Sequence, residues 1–420
     1  MTPQSVQSHV VTRATRAVLA ELVVAGLAMV LLVDGLSQAY QELLGTPFIY
    51  DVETYLRAAR GMTIFFDTAE REPWHPFWLR LGLAWFGDVE RAARLVTVAQ
   101  TLLAGMALYG FCRAHLGVLT AVTTLWLFAG NHTVHYYGVS GLRDPVYAAQ
   151  LLLFFWFMFL PVGVPRAART DVWAAVWGAV LYLTRVYGLL QVACAAVWLL
   201  FQARAWRSPS RRDVLRRVGV VLTALLVTVA LDRILRGTNH VGNDVIYWWA
   251  REKLNADPTP DMPRMTMLQY IMDGRTVWDV VERVVRNHGL FLRAYLPSFG
   301  HGWTLASPTL LVVGAALAVW KRREFVPVAV VLALAPAVFV LNVNMVPTAF
   351  GVDKRLVLQA YLLALPLMPW SLWTLCELAL GVLSRRSPAL APVHAWLVRW
   401  QRPGGPGRTS DVDEGTPSSL

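Results

Sequence analysis

The sequence is poor in charged residues. Asp, Glu, Lys and Arg make up only 15% of its 420 residues, while 56% are hydrophobic. Soluble domains carry about 25% charged residues, so this shortage excludes an ordinary soluble fold. A bilayer core about 30 Å thick needs about 20 apolar residues per helix, and the chain supplies such runs repeatedly. Because no water is present there to bond the backbone, the runs predict an all-α, polytopic integral membrane protein.

Cysteine and acidic residues are scarce as well. Cys112, Cys194 and Cys376 each lie within an apolar run, and an odd number so placed cannot form a complete disulfide framework. The 27 acidic residues are outnumbered by 38 Lys and Arg, which gives a formal charge of +11. These basic residues concentrate at the ends of apolar runs and not in one aromatic-studded patch. The excess therefore predicts membrane orientation and argues against nucleic acid as a partner.

The apolar runs predict about ten transmembrane helices. The first run, Ala17 to Leu36, is longer than the apolar region of a signal peptide, and no clear cleavage site follows it. We therefore expect it to be the first membrane helix. The other runs lie at residues 94–112, 117–130, 146–162, 172–184, 187–203, 216–234, 306–320, 325–342 and 356–380.

Short loops rich in Arg and Lys predict the orientation of the helices. The positive-inside rule places such loops in the cytoplasm, and all of them fall on one side of the predicted membrane. Both termini are then cytoplasmic. The basic positions are Arg13, Arg166, Arg169, the run from Arg204 to Arg217, Lys321 to Arg323, and Arg385 with Arg386.

This orientation places two long loops, residues 37–93 and 235–305, on the outer face. Both loops contain apolar helical pieces, so we expect outer-face loops that bear interfacial helices. Residues 1–383 are expected to form one transmembrane domain, which includes these loops. Residues 384–420 are expected to be a cytoplasmic tail that is basic and disordered, since its end is rich in Gly, Pro and Ser.

Candidate chemistry follows the first helix. Asp51 and Glu53 are two carboxylates flanked by aromatic residues at a membrane surface. They could supply a general base or part of a divalent cation site. The structural alternative is that Asp51 caps the helix that follows and Glu53 neutralises Arg57 at i+4. Spacing alone favours the structural alternative and leaves any cofactor unknown.

Four short sequence segments occur in a defined order along the predicted first outer loop. They are Asp51, then Ala58-Ala59-Arg60, then Arg71-Glu72-Pro73-Trp74-His75-Pro76, and finally Phe86-Gly87-Asp88. Together they resemble the first outer loop of the GT-C superfamily of polytopic membrane glycosyltransferases, especially the bacterial branch akin to dolichyl-phosphate-mannose-protein mannosyltransferases. Three later segments are similar too: Gly141 to Pro145, Leu183-Thr184-Arg185, and Lys354-Arg355.

The resemblance implies a glycosyltransferase in the cell envelope. It would move a sugar from a polyprenyl-phosphate donor to a glycan, lipid or protein acceptor on the outer face of the bacterial cytoplasmic membrane, with inversion. Asp51 would be the catalytic base, assisted by Glu53, although many members have adjacent acidic residues where this chain has Asp-Val-Glu. The implied donor-phosphate residues are Arg185, Lys354 and Arg355, and the implied acceptor-side residues are Arg71, Glu72 and His75.

A transporter or lipid flippase is the alternative function. In such proteins charged residues near the middle of the membrane line a pathway. The predicted helices of this chain contain few carboxylates and show no inverted repeat, although no sequence motif here is diagnostic of an enzyme. An enzyme of the proposed kind needs its polar residues gathered at the outer surface.

Overall fold

The structure is a computed structural model that describes residues 3–48, 50–66, 72–160, 167–185, 188–205, 211–236 and 364–402, together with short pieces between 269 and 362. The regular structure in these ranges is helical and includes no strand. The helices are α1 Pro3–Leu43, α2 Tyr50–Gly61, α3 Trp74–Phe86, α4 Val89–His115, α5 Val118–Ala129, α6 His132–Gly138, α7 Arg143–Met158, α8 Ala167–Thr184, α9 Gly188–Ala205, α10 Arg211–Arg236, α11 Leu367–Arg386 and α12 Ala391–Gln401.

Four of the described helices are long and apolar enough to cross a bilayer. They are Thr15–Leu43 within α1, Val89–His115, Arg211–Leu235 within α10, and Leu367–Arg386. The chain is an integral membrane protein, and the prediction of a helical membrane fold is confirmed. The number of about ten transmembrane helices stays a prediction, because the runs expected at 306–320 and 325–342 lie mostly or wholly outside the described residues.

The helices pack around one large apolar core. Within it α4 contacts α5 and α7, α7 contacts α8, and α8 contacts both α9 and α10. Small residues allow close approach at these contacts, since Gly110 of α4 faces the ring of Trp156 and Gly178 of α8 faces Phe154. The core therefore fixes the ends of the helices relative to one another.

One end of the bundle is held together by Arg94 of α4. Its buried side chain makes an ion pair with Glu90 at 2.9 Å. It also donates hydrogen bonds to the carbonyl of Leu43 at 2.5 Å and to that of Val139 at 3.2 Å. The end of α1, the first turns of α4 and the segment after α6 thus meet at this end of the bundle, which we call the site end.

The first predicted outer loop forms α2 and α3 at the site end. α2 buries the i, i+3, i+4 face that contains Val52, Tyr55 and Leu56, and it packs against Leu79 of α3 and Ala93 of α4. α3 in turn contacts both α4 and α8 and so lies across the site end. The second predicted outer loop, residues 235–305, lies almost wholly outside the described residues.

The opposite end of the bundle is clamped by Arg217 of α10. It donates to Asp171 of α8 at 2.7 Å and to the carbonyls of Met158 and Leu160 after α7. Here α12 packs against α5 and α11. The expectation that residues 384–420 form a disordered tail therefore needs correction for Ala391–Gln401, because this segment is helical and buries Leu397 and Gln401.

Candidate functional site

α2 directs its two carboxylates to different faces. Residues i and i+2 of a helix are about 200° apart around the axis. Asp51 is half-buried, whereas Glu53 is exposed to solvent. The pair therefore does not converge on one cation. In the described part of the chain, no group of three or more His, Cys, Asp or Glu side chains could hold a metal ion.

The expected structural roles of these carboxylates are not those observed. α2 begins at Tyr50, so Asp51 lies inside its first turn and not at the N-cap. A carboxylate there is still stabilised by the helix dipole. Glu53 and Arg57 are both exposed, and no ion pair joins these two described residues.

Tyr55 connects the face of α2 that bears Asp51 to residues from elsewhere in the chain. It follows Asp51 at i+4, so the two side chains are neighbours on one face of α2. The guanidinium carbon of Arg143 lies 5.4 Å from the centre of the Tyr55 ring, within cation–π range. The His75 ring meets the same tyrosine edge to face, with 5.0 Å between ring centroids.

Arg143 also forms an ion pair with Glu72. The side chains are 16% and 12% exposed, so water screens this pair less than a surface pair. Glu72 precedes α3 and Arg143 begins α7, so the pair joins the starts of two helices that are distant in sequence. Glu72, predicted from the resemblance, is therefore anchored within this cluster.

His75 is buried beneath the same cluster. Its Nε2 lies 3.1 Å from the carbonyl oxygen of Gly141. A carbonyl only accepts, so Nε2 must carry the proton and Nδ1 is left with its lone pair. Nδ1 has no hydrogen-bond partner. Burial lowers the pKa of His75 to about 3, and the charges of Arg143 and Arg185 act in the same direction while the bond to Gly141 opposes them.

The backbone conformation and the close packing at residue 141 require glycine. Its φ is +78°, a left-handed conformation that glycine adopts without steric cost. A Cβ there would also lie 2.9 Å from a methyl carbon of Val52, too close for ordinary contact. The segment before α7 can therefore pass closely under α2 and present its carbonyl to His75.

Arg185 lies directly after α8 and forms a buried ion pair with Asp144. The two side chains are 7% and 1% exposed. The guanidinium carbon of Arg185 also lies 5.7 Å from the ring centre of Tyr147. α7 begins at Arg143 with Leu142 as its N-cap, so Asp144 lies in the first turn of the helix and does not cap it. The Asp144 carboxylate is instead the counter-ion of Arg185.

Two further hydrogen bonds continue below this ion pair into the bundle. The hydroxyl of Tyr147 donates to the side-chain oxygen of Gln191, and the hydroxyl of Thr184 donates to that of Gln150. Both bonds are buried and join α7 to its neighbours α8 and α9. Such bonds fix the relative register of helices in an apolar core, so they hold the end of α8 where Arg185 begins.

The structure thus gathers part of the predicted set. Glu72, His75 and Arg185 lie together, and Asp51 lies one turn from Tyr55. Arg71, Lys354 and Arg355 lie outside the described residues. Sequence reasoning gave no site role to the residues that connect the set, which are Tyr55, Gly141, Arg143 and Asp144. The available signals were the i+4 spacing from Asp51 and the Arg-Asp-Pro sequence at the start of α7.

No protein-family model and no curated protein sequence matches the chain. Its structure, however, matches that of the oligosaccharyltransferase of Archaeoglobus fulgidus in the apo form, with a TM-score of 0.54 and 12% identity over 91% of this chain and 55% of the other. The fold is shared. The archaeal oligosaccharyltransferase AglB of this organism, in complex with an inhibitory peptide and a dolichol-phosphate, matches with a TM-score of 0.53 and 14% identity over 90% and 53% of the two chains.

A third structure, the A. fulgidus enzyme with Zn and sulfate, gives a TM-score of 0.53 at 12% identity over 90% of this chain and 51% of the other. The chain therefore spans about half the length of the proteins that it matches. Identities this low establish a common fold and carry no residue-level correspondence.

Proposed function

We propose that the protein is a membrane glycosyltransferase of the GT-C type. It transfers a sugar from a polyprenyl-phosphate donor to an acceptor on the outer face of the membrane, with inversion at the sugar carbon. The observation that carries this proposal is the cluster of Tyr55, Glu72, His75, Arg143 and Arg185 at one end of a bundle with the oligosaccharyltransferase fold. One structure with that fold holds a dolichol-phosphate and a peptide.

Asp51 is the proposed base. It is half-buried on the first turn of α2 and lies on the face that leads to Tyr55 and Arg143. A carboxylate in hydrogen-bond reach of an acceptor hydroxyl can take its proton while the hydroxyl attacks the sugar. Glu53 lies on another face of α2. It would therefore assist proton removal through the electrostatic field of its charge and not through direct contact with the acceptor.

Cationic side chains are proposed to stabilise the departing lipid phosphate. A guanidinium has five N–H donors, so Arg185 can keep its bond to Asp144 and still donate to a phosphate oxygen. Arg143 lies in the same cluster and has the same capacity. Lys354 and Arg355, beyond the described residues, remain donor-phosphate candidates on the resemblance alone, and Arg71 remains an acceptor-side candidate on the same basis.

The distribution of polar residues favours an enzyme over a carrier. The ionic side chains of the cluster lie at helix ends, before α3, at the start of α7 and after α8. The polar residues deeper in α7 are neutral and bonded to α8 or α9. A carrier would instead need charges that line a path through the membrane.

The deciding experiment replaces Asp51 by Asn in purified protein supplied with a panel of polyprenyl-phosphate sugars. Asn is nearly isosteric but cannot act as a base at neutral pH, so transfer and donor hydrolysis should fall by about 100-fold or more. Insertion and thermal stability should stay at the wild-type level. Glu53→Gln is the matched control and should retain most activity, because Glu53 is exposed on another face. Full activity in Asp51→Asn would remove Asp51 as the base.

A further inference from the structure

An apolar groove of about 670 Å³ lies between α3 and α4, next to the proposed site and separate from it. Gly82 of α3 allows the two helices to approach, since a Cβ there would lie 2.9 Å from a methyl carbon of Val96. The groove follows α3 from its second turn to its end. Its walls include Trp78, Leu81 and Trp85 of α3 and Leu95, Ala99 and Gln100 of α4.

Two polar groups in the groove wall lack partners. The indole nitrogen of Trp78 is buried and makes no hydrogen bond. Gln100 is 7% exposed, its side-chain amide atoms are not fully enclosed, and the amide forms no hydrogen bond with any side chain or backbone group that the structure describes. Buried donors in native proteins are nearly always satisfied, so the Trp78 indole points to a ligand that carries a hydrogen-bond acceptor, and the Gln100 amide can donate to the same ligand.

A positively charged side chain lies at the edge of this groove. Arg80 is exposed on α3 and precedes Ala84, another groove residue, by one turn. It makes no ion pair within the described ranges. The groove thus combines an apolar wall, uncharged donors in the wall and a positive charge at the rim.

We propose that this groove binds one glycerophospholipid of the membrane. One acyl chain lies along the apolar wall, its ester carbonyl accepts from Trp78 and Gln100, and its phosphate contacts Arg80. The acyl chain, the ester carbonyl and the phosphate of the lipid match the apolar wall, the uncharged donors and the arginine of the groove. Tryptophan side chains concentrate at the membrane–water interface, where the ester and phosphate groups of lipids lie. A polyprenyl phosphate has no ester carbonyl and would leave the two donors unsatisfied. This proposal does not depend on the proposed glycosyltransferase activity.

The first test uses photo-crosslinking of the full-length protein in lipid nanodiscs. The probe is phosphatidylglycerol with a diazirine on one acyl chain, added at increasing mole fraction, and labelled peptides are mapped by mass spectrometry. A site saturates, whereas bulk lipid contacts rise in proportion to the probe. We expect saturable labelling of the groove and proportional labelling at Leu22 and Val30, which are exposed on α1. Proportional labelling of the groove would overturn the proposal.

Two substitutions then locate the lipid. Ala99→Phe fills the groove and should abolish the saturable component, and Met106→Phe, an exposed position further along α4, should leave it unchanged. Arg80→Ala should weaken probe affinity roughly tenfold through the lost charge-assisted contact, whereas Arg57→Ala on α2 should not. Wild-type labelling in Ala99→Phe or Arg80→Ala would contradict the assignment. So would stronger displacement of the probe by undecaprenyl phosphate than by unlabelled phosphatidylglycerol.

Discussion

At the scale of single residues, Asp51 and Asp144 illustrate how environment divides roles between two carboxylates. Asp144 is 1% exposed and held by Arg185, so its charge is committed to that guanidinium. Asp51 is half-buried in the first turn of α2, so part of its side chain is open to solvent. A general base must reach the proton that it removes. Asp51 is therefore the better candidate for the base, and Asp144 for an anchor of the cation.

His75 offers a test of the buried cluster that does not require a substrate. In the folded protein its pKa is lowered to about 3, chiefly by burial, while the unfolded chain titrates near the ordinary value of 6.5. Between these two pH values the unfolded state binds the additional proton. Stability should therefore fall as the pH drops through 6.5, by about 2 kcal/mol between pH 7 and pH 5 from this group.

The His75→Gln substitution isolates that contribution. A glutamine amide can still donate to the Gly141 carbonyl but does not titrate. The variant should lose about 2 kcal/mol less than wild type between pH 7 and pH 5, as measured by reversible denaturant unfolding in detergent micelles. Equal acid sensitivity of the two proteins would show that His75 is not held neutral by the fold.

At the scale of elements, α1 packs closely against α6 because Gly35 of α1 has no side chain. A Cβ on Gly35 would overlap the ring of His135. That ring cannot easily give way, because its Nε2 bonds to the carbonyl of Ala129 at 2.6 Å. The close contact holds the end of α1 beside α6, from which the chain continues to Gly141 and the site.

We expect Gly35→Ala to destabilise the protein by about 1–3 kcal/mol, the usual cost of overpacking a tight contact. Gly26→Ala on the same helix is the matched control, since nothing lies within 4 Å of the added carbon. The control should be neutral or more stable by up to about 1 kcal/mol, because alanine is the better helix former. Thermal unfolding of both variants in detergent measures the difference. Equal stability of the two would mean that α1 and α6 do not pack in this way.

At the scale of the whole molecule, the two ends of the bundle differ in charge. The site end carries acidic side chains, such as Glu53 and Glu72, alongside its arginines. The opposite end exposes basic residues at the starts of α8 and α10, among them Arg169, Arg211 and Arg212. The positive-inside rule then predicts that the site end faces outward.

Cysteine labelling tests this orientation. In a background lacking Cys112, Cys194 and Cys376, single cysteines replace the exposed residues Glu53 and Arg212. An impermeant thiol reagent added to intact cells should label the Glu53 position and spare the Arg212 position until the membrane is opened. The reverse pattern would invert the topology and place the proposed site in the cytoplasm.

The sequence by itself determined the elements that depend on local chain properties. The apolar runs predicted the membrane-spanning part of α1, α4 and α10 with ends that lie within about seven residues of the observed ones, because a helix in lipid needs only a continuous apolar stretch. The order of residues after α1 also singled out Asp51, Glu72 and His75 as candidates, and the structure places Glu72 and His75 beside Arg143. Even the separation of Asp51 from Glu53 could have been derived from the helical period.

Only the tertiary structure decided which residues meet. Glu72 and Arg143 are separated by 71 positions, and Asp144 and Arg185 by 41. Pairs so distant in sequence leave no periodic signal, because their contact depends on how α3, α7 and α8 pack at one end of the bundle. The groove between α3 and α4 arises in the same way, since it depends on the distance that Gly82 permits between two helices.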